Sequence, residues 1–241
     1  MKTNRLLLIY FFCIIGAAVF EGCGHKAPKL EPPTAYLNHM PQSILVLPPK
    51  NESTEVQAPY IYLSTITKPI AEKGYYVYPV AVIDHFMKEN GVPTPEDMAQ
   101  VPLEKIKEII GPDAVLYITI KDWGTKYQVL SSVTVVQCEA QLVDTDTKTV
   151  LWKGAQRISC NPNQQNANGL AEALVAAIVS QIVNSMVDPS RDVARMANNA
   201  LFLDPKKGLL YGKRNLQYEN EQKKWRDYQN QVNTAPSEEQ K

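Results

Sequence analysis

The chain has 241 residues, and its 25 Lys+Arg are matched by 25 Asp+Glu, for no formal net charge. That balance excludes the basic footprint a nucleic-acid binder uses to release counterions, and the polybasic patch of a membrane-surface protein. Hydrophobic residues make up 44% and charged residues 21%, so the chain folds rather than staying disordered, and its length suits one large domain with appendages. His25, His39 and His85 are too few and too scattered for a histidine-built metal site, and no cofactor is expected.

The amino terminus reads as an address. Lys2 and Arg5 precede LLLIYFFCIIGAAVF at 6–20, an uncharged run too short to span a bilayer, which needs roughly 20 residues. It has the size of a signal-peptide apolar region. Glu21, Gly22 and Cys23 follow, and a small residue before a cysteine at this point resembles the bacterial lipobox, although Phe20 and Glu21 depart from its usual Leu and small residue. The resemblance implies cleavage after residue 22 and acyl chains on Cys23. Gly24, where an Asp would signal retention at the inner membrane, points to the outer membrane by the same resemblance. A multiply acylated cysteine stays anchored.

Once residues 1–22 are removed and Cys23 is lipidated, Cys138 and Cys160 remain. An even remainder in an oxidising compartment predicts a disulfide between them. They fall on one expected hairpin with its turn at 144–148. If Val143 opposes Lys148, Cys138 opposes Lys153, and a bridge needs the second strand to double back. The alternative is two buried thiols.

The expected elements run in chain order. Residues 24–38, with Pro28, Pro32 and Pro33, form an extended tether. Residues 42–47 form a buried strand ended by Pro48 and Pro49, and 50–54 a polar loop. A helix spans 58–73, kinked or divided at Pro69 and stopped by Gly74. A strand follows at 75–80, then short helices at 81–90 and 102–110. Strands are expected at 113–120 and 127–144, the second paired with 149–159. Helices follow at 170–187 and 191–202. Periodicity ends at residue 203, and 217–241 reads as a polar, fraying tail. The order β-α-β-α-α-β-β-β-α-α implies an α/β fold, one mixed sheet of about five strands with helices packed on it. The domain is placed at 42–203, between a lipidated tether at 23–41 and a polar extension at 204–241.

The helix at 170–187 is apolar on more than one face. Leu174, Ile178 and Ile182 share a stripe, with Val175, Val179 and Val183 beside it. It either packs wholly in the core or also meets a second copy, which makes a homodimer an expectation.

ILVLPPKNEST at 44–54, GYYVYPV at 74–80, GPDAVLYITIKDWGTKY at 111–127 and LVDTDTKTVLWKG at 142–154 resemble an uncharacterised family of proteobacterial lipoproteins, typified by the neisserial genome-derived lipoprotein antigen. More distantly, the strand-Pro-Pro-loop and the later hairpin are similar to the amino-terminal domain of TolB and to CsgG and LpoB, modules of the periplasm or outer membrane that bind other proteins. The family resemblance implies an outer-membrane lipoprotein, dimeric, in transport or secretion assemblies, with no catalytic residues; the periplasmic face is expected ahead of the cell surface.

No nucleophile elbow, phosphate loop, C-x-x-C or H-E-x-x-H is present in the sequence. Lys50, Asn51, Glu52 and Ser53 follow a strand's carboxyl end, where open α/β sheets bind ligands, but equally form a capped loop. Asp84 and His85, one apart on a helix, face different ways and make no dyad. Trp123 and Trp152 either pack on the sheet or form an exposed patch for a partner. The function expected is a lipid-anchored, non-catalytic binding or assembly module with a protein partner in the envelope. The alternative is an accessory activator of peptidoglycan synthesis, for which a tether of about fifteen residues, about 45 Å extended, is short.

Overall fold

A computed structural model describes residues 33–128, 131–160 and 189–234. The helices are α1 (Thr34–Asn38), α2 (Ala58–Glu72), α3 (Val80–Glu89), α4 (Pro95–Met98), α5 (Leu103–Ile109), α6 (Ser190–Phe202) and α7 (Tyr218–Thr234). The strands are β1 (Ser43–Val46), β2 (Lys50–Asn51), β3 (Tyr76–Val77), β4 (Ala114–Gln128), β5 (Ser131–Asp144) and β6 (Val150–Cys160). They build a six-stranded mixed sheet in the order β3-β1-β4-β5-β6, with β2 also paired to β4. β1, β2 and β3 run parallel to their neighbours, and β4, β5 and β6 form an antiparallel meander. Among the described residues no helix is long and apolar enough to cross a membrane.

The run Ile44, Leu45, Val46 and Leu47 is apolar throughout because both faces of β1 are covered. Ile44 and Val46 join the larger core with Tyr62, Ile66 and Ile70 of α2 and Val193, Ala197 and Phe202 of α6. Leu45 and Leu47 join a smaller core with Ile83 and Met87 of α3, Met98 of α4 and Ile106 of α5. The start of β4 is pinned by Asp113, whose carboxylate accepts bonds from Gln42 N–H, Ser43 N–H and Ser43 Oγ–H at 2.9–3.0 Å. Burial pushes the Asp113 carboxyl up, but these donors and Lys107 outweigh it and hold the group below its ordinary value.

Several expectations change. The sheet has six strands because the segment read as a polar loop contains β2, whose Lys50 and Asn51 pair with Thr119 and Ile120. α2 runs unbroken through Pro69. The strand expected at 75–80 is two residues long, and Pro79 caps the helix that takes over. The strands expected at 113–120 and 127–144 are instead one hairpin, paired from Ala114↔Asp144 to Gln128↔Ser131 with a bulge between Ile120 and Asp122. The turn at 144–148 is present, with Asp144 Oδ1 accepting from the N–H groups of Asp146 and Thr147. Val143 faces Val150 rather than Lys148.

The polar extension is part of the fold. Leu209, Leu210 and Trp225 are buried in the larger core, and residues 218–234 are helical. Glu221 on α7 accepts the Tyr211 N–H at 2.5 Å. Burial raises its carboxyl above the ordinary value, against the lowering effects of that bond, Lys73 and Lys224. A group raised in the folded state contributes stability that is complete below its unfolded pKa, about 4.3 for Glu, and is lost as pH rises through the folded value. Glu221→Gln, which keeps an acceptor and drops the charge, is therefore expected to melt above the wild type at pH 7. The gap closes toward pH 4. Melting curves of the two proteins across that range check it, and a gap that widens on acidification contradicts it.

Candidate functional site

Among the described residues, α3, α4 and α5 cover only the β1 side of their face of the sheet, and none covers that face of the meander beyond Val115 and Tyr117. The register places Tyr117 beside Gln141 and Gln141 beside Lys153, then Thr119 beside Glu139 and Glu139 beside Ala155. These residues line a shallow concavity of about 520 Å³. Strand alternation sends their neighbours Leu116, Ile118, Ala140 and Leu142 to the larger core, so one pattern builds both the core and the open face.

Charges at the rim are paired across strands. Lys121 lies 2.9 Å from Glu52 and 3.7 Å from Glu139. Arg157 Nη1 donates to Gln137 Oε1 at 2.7 Å and lies 3.2 Å from Asp122 Oδ2, and Lys126 reaches the other oxygen of Asp122 at 2.9 Å. Burial raises Tyr117 at the covered end. The result is a surface of alternating donors and acceptors, without a nucleophile aligned to a base among its described residues. Among the described residues, no group of three or more His, Cys, Asp or Glu could hold a metal ion. The chemistry available is hydrogen bonding and ion pairing to a polar partner surface.

The residues singled out from sequence fall elsewhere. Asn51 Oδ1 accepts from Ser53 N–H and Oγ–H, and Glu52 pairs with Lys121, so Lys50–Ser53 is a strand with a capped turn. Asp84 is bound to Lys88 at 2.7 Å, and His85 is exposed. Trp123 and Trp152 are buried on the sheet at 2% and 9% exposure. Cys138 and Cys160 are free, buried thiols. Cys138 faces Gln156, while Cys160 faces Thr134. At roughly 3.4 Å per residue their four-residue offset puts them about 14 Å apart along the ladder, well beyond bridging distance, so the expected disulfide is not formed in this structure. Tyr62 Oη donates to Cys138 Sγ at 3.2 Å, and burial pushes that thiol up to about 11, far from a reactive thiolate. Cys23 and the helix residues Leu174, Val175, Ile178, Val179, Ile182 and Val183 lie outside the described residues.

Sequence reading missed the open face. Its signal is the polar alternation at 117, 119 and 121 and at 137, 139 and 141, with Lys153 and Arg157 flanking the small Ala155 on the third strand. It becomes legible only once the register brings the three sets together.

Residues 33–214 match the family described as "Putative lipoprotein GNA1162-like", a description that names no reaction. A relative from Neisseria meningitidis serogroup B, "Putative lipoprotein NMB1124/NMB1162", is 42% identical over 190 residues, which is 78% of this chain and 87% of the relative. The crystal structure of lipoprotein GNA1162 from Neisseria meningitidis is similar at a TM-score of 0.50 and 45% identity, over 60% of this chain and 100% of that one. The LpoB C-terminal domain from Escherichia coli is similar at a TM-score of only 0.35 and 16% identity, over 49% of this chain and 83% of that one, a likeness too faint to carry an argument. The chain belongs to the GNA1162-like lipoprotein family.

Proposed function

We propose that the protein is held at the outer membrane by acyl chains on Cys23 and serves there as a non-catalytic binding or assembly module in envelope transport or secretion. The observation that carries this reading is the half-sheet left open among the described residues, a polar face whose rim charges at Lys121, Asp122, Glu139 and Arg157 are paired. Paired rim charges give orientation and encounter rate more than raw affinity, which suits a module that must recognise a partner and release it. The apolar run ending at Cys23 and the proline-bearing stretch before the domain support the anchored geometry.

Labelled palmitate is expected to enter the wild type and not Cys23→Ala, which also stays uncleaved and runs as the longer precursor. A wild type that takes no label removes the anchor from this reading. A photo-crosslinking residue at Gln141 or Lys153 is expected to trap a discrete envelope protein in intact cells, whereas one at Glu108, exposed on α5 and outside the lining of the concavity, does not. An open face that traps nothing, or a purified protein that turns over a substrate, overturns the binding role.

A further inference from the structure

α7 follows the family match, which ends at residue 214. The chain leading to it is fastened to the core. Tyr75 Oη donates to the Leu210 carbonyl at 2.7 Å, Gly212 N–H to the Lys73 carbonyl at 2.7 Å, and Asn215 Nδ2 to the Glu72 carbonyl at 2.6 Å. From there α7 is held differently. Across residues 218–231, Trp225 is the one buried side chain, at 8% exposure, and Tyr228 meets its ring edge-on at 6.0 Å. One turn earlier, Glu221 takes the Tyr211 N–H, beside the Lys73 ammonium that sits 4.1 Å above the Tyr211 ring. Lys73 is itself 2% exposed.

Docking also carries penalties. Gln222 Nε2 is buried with no hydrogen-bond partner among the described residues. Glu221 and Lys73 are both desolvated, the first raised and the second lowered from its ordinary value. A buried, unpaired donor and two desolvated charges work against one aromatic anchor. A polar helix of this length has little stability of its own in water.

We infer that the core of this protein carries a helix-docking groove at Tyr211, Lys73 and the apolar cluster that receives Trp225, and that α7 occupies it in cis as a replaceable ligand. The groove selects a helix with a side-chain oxygen acceptor one turn before an aromatic anchor, the spacing of Glu221 and Trp225. The backbone N–H of Tyr211 reads the acceptor, and the apolar cluster reads the ring. Because the groove lies within the family region and α7 lies beyond it, α7 is the part that exchanges. The inference is independent of the open sheet face and of the lipid anchor.

The test uses the full chain and a fluorescent peptide of residues 218–234. The peptide is expected to bind the Trp225→Ala chain at least about tenfold more tightly than the wild type, whose groove is filled. A peptide with the same Trp→Ala change is expected to bind neither. A peptide that ignores a Trp225→Ala chain of unchanged circular dichroism overturns the inference, as does equal binding to both chains. Should that variant fail to fold, amide exchange of the wild type decides. Amides of α7 exchanging well ahead of those in α2 and α6 support a replaceable helix, and equal protection refutes it.

Discussion

Trp152→Ala is expected to remove about 3–5 kcal/mol of folding stability, a large share of the roughly 5–15 kcal/mol that holds a domain together. The ring stands on β6 opposite Leu142 and is 5.6 Å from the ring of Phe202 on α6. Its Nε1–H donates to the Lys207 carbonyl at 2.8 Å, tying the segment after α6 to the sheet. The backbone is shaped to receive it. A Cβ on Gly154 would come within 2.5 Å of the indole, so the glycine leaves the space the ring fills. Truncation opens a cavity between sheet and helix and strands a carbonyl that is otherwise satisfied. Urea unfolding checks it, with a lowered midpoint at nearly constant slope expected. A loss under about 1 kcal/mol would mean that α6 and the sheet close over the gap.

Gly74→Ala is expected to cost about 2–5 kcal/mol, the sum of two effects. Gly74 sits at φ +94°, a left-handed conformation that a Cβ disfavours. An added Cβ would also lie 2.7 Å from Asn215 N and 2.9 Å from the Gly212 carbonyl oxygen. Those are backbone atoms, so the chain at 212–215 must move away rather than a side chain rotate. The loss should therefore be polarised, with amide protection falling first across residues 211–234. Gly91→Ala is the matching control. It has the same left-handed conformation, at φ +80°, with nothing near its missing Cβ, and is expected to lose only the conformational part. Equal losses at the two sites would show that the close approach at Gly74 contributes nothing.

The legible parts of this fold are those where local chemistry and burial agree. β1 was readable because Ile44 to Leu47 are covered on both faces and Pro48 ends the run. α3 was readable from its stop at Gly91, which sits at positive φ, and α5 from Pro102 at its first turn. The β4–β5 hairpin was not, because its signals are misplaced. Residues 127–135 offer no Gly, Asn or Asp to mark a turn, whereas Asp122 and Gly124, in the gap between the two expected strands, lie inside β4 beside a bulge. The Cys138–Cys160 pairing failed because β6 does not double back: it runs straight along β5, leaving Cys160 four residues beyond Gln156, the residue that faces Cys138. α7 was hidden by its composition. A helix with one anchor, Trp225, carries almost no apolar period, and its burial depends on a surface assembled from residues far upstream. The open face was invisible for the same reason, since its three polar sets become neighbours only through pairing.

The parallel half of the sheet also sets an order of events. β1 cannot complete its ladder until β4 exists, and the contact that joins them, Ser43 to Asp113, spans 70 residues of chain. The meander of β4, β5 and β6 closes through neighbouring segments and faces far less loop entropy. A chain that emerges amino terminus first therefore presents its most apolar strand long before its partner arrives. Residues 43–47 are the stretch most in need of a holding chaperone, and slowing synthesis just before residue 114 should lengthen that exposure and lower the yield of folded protein.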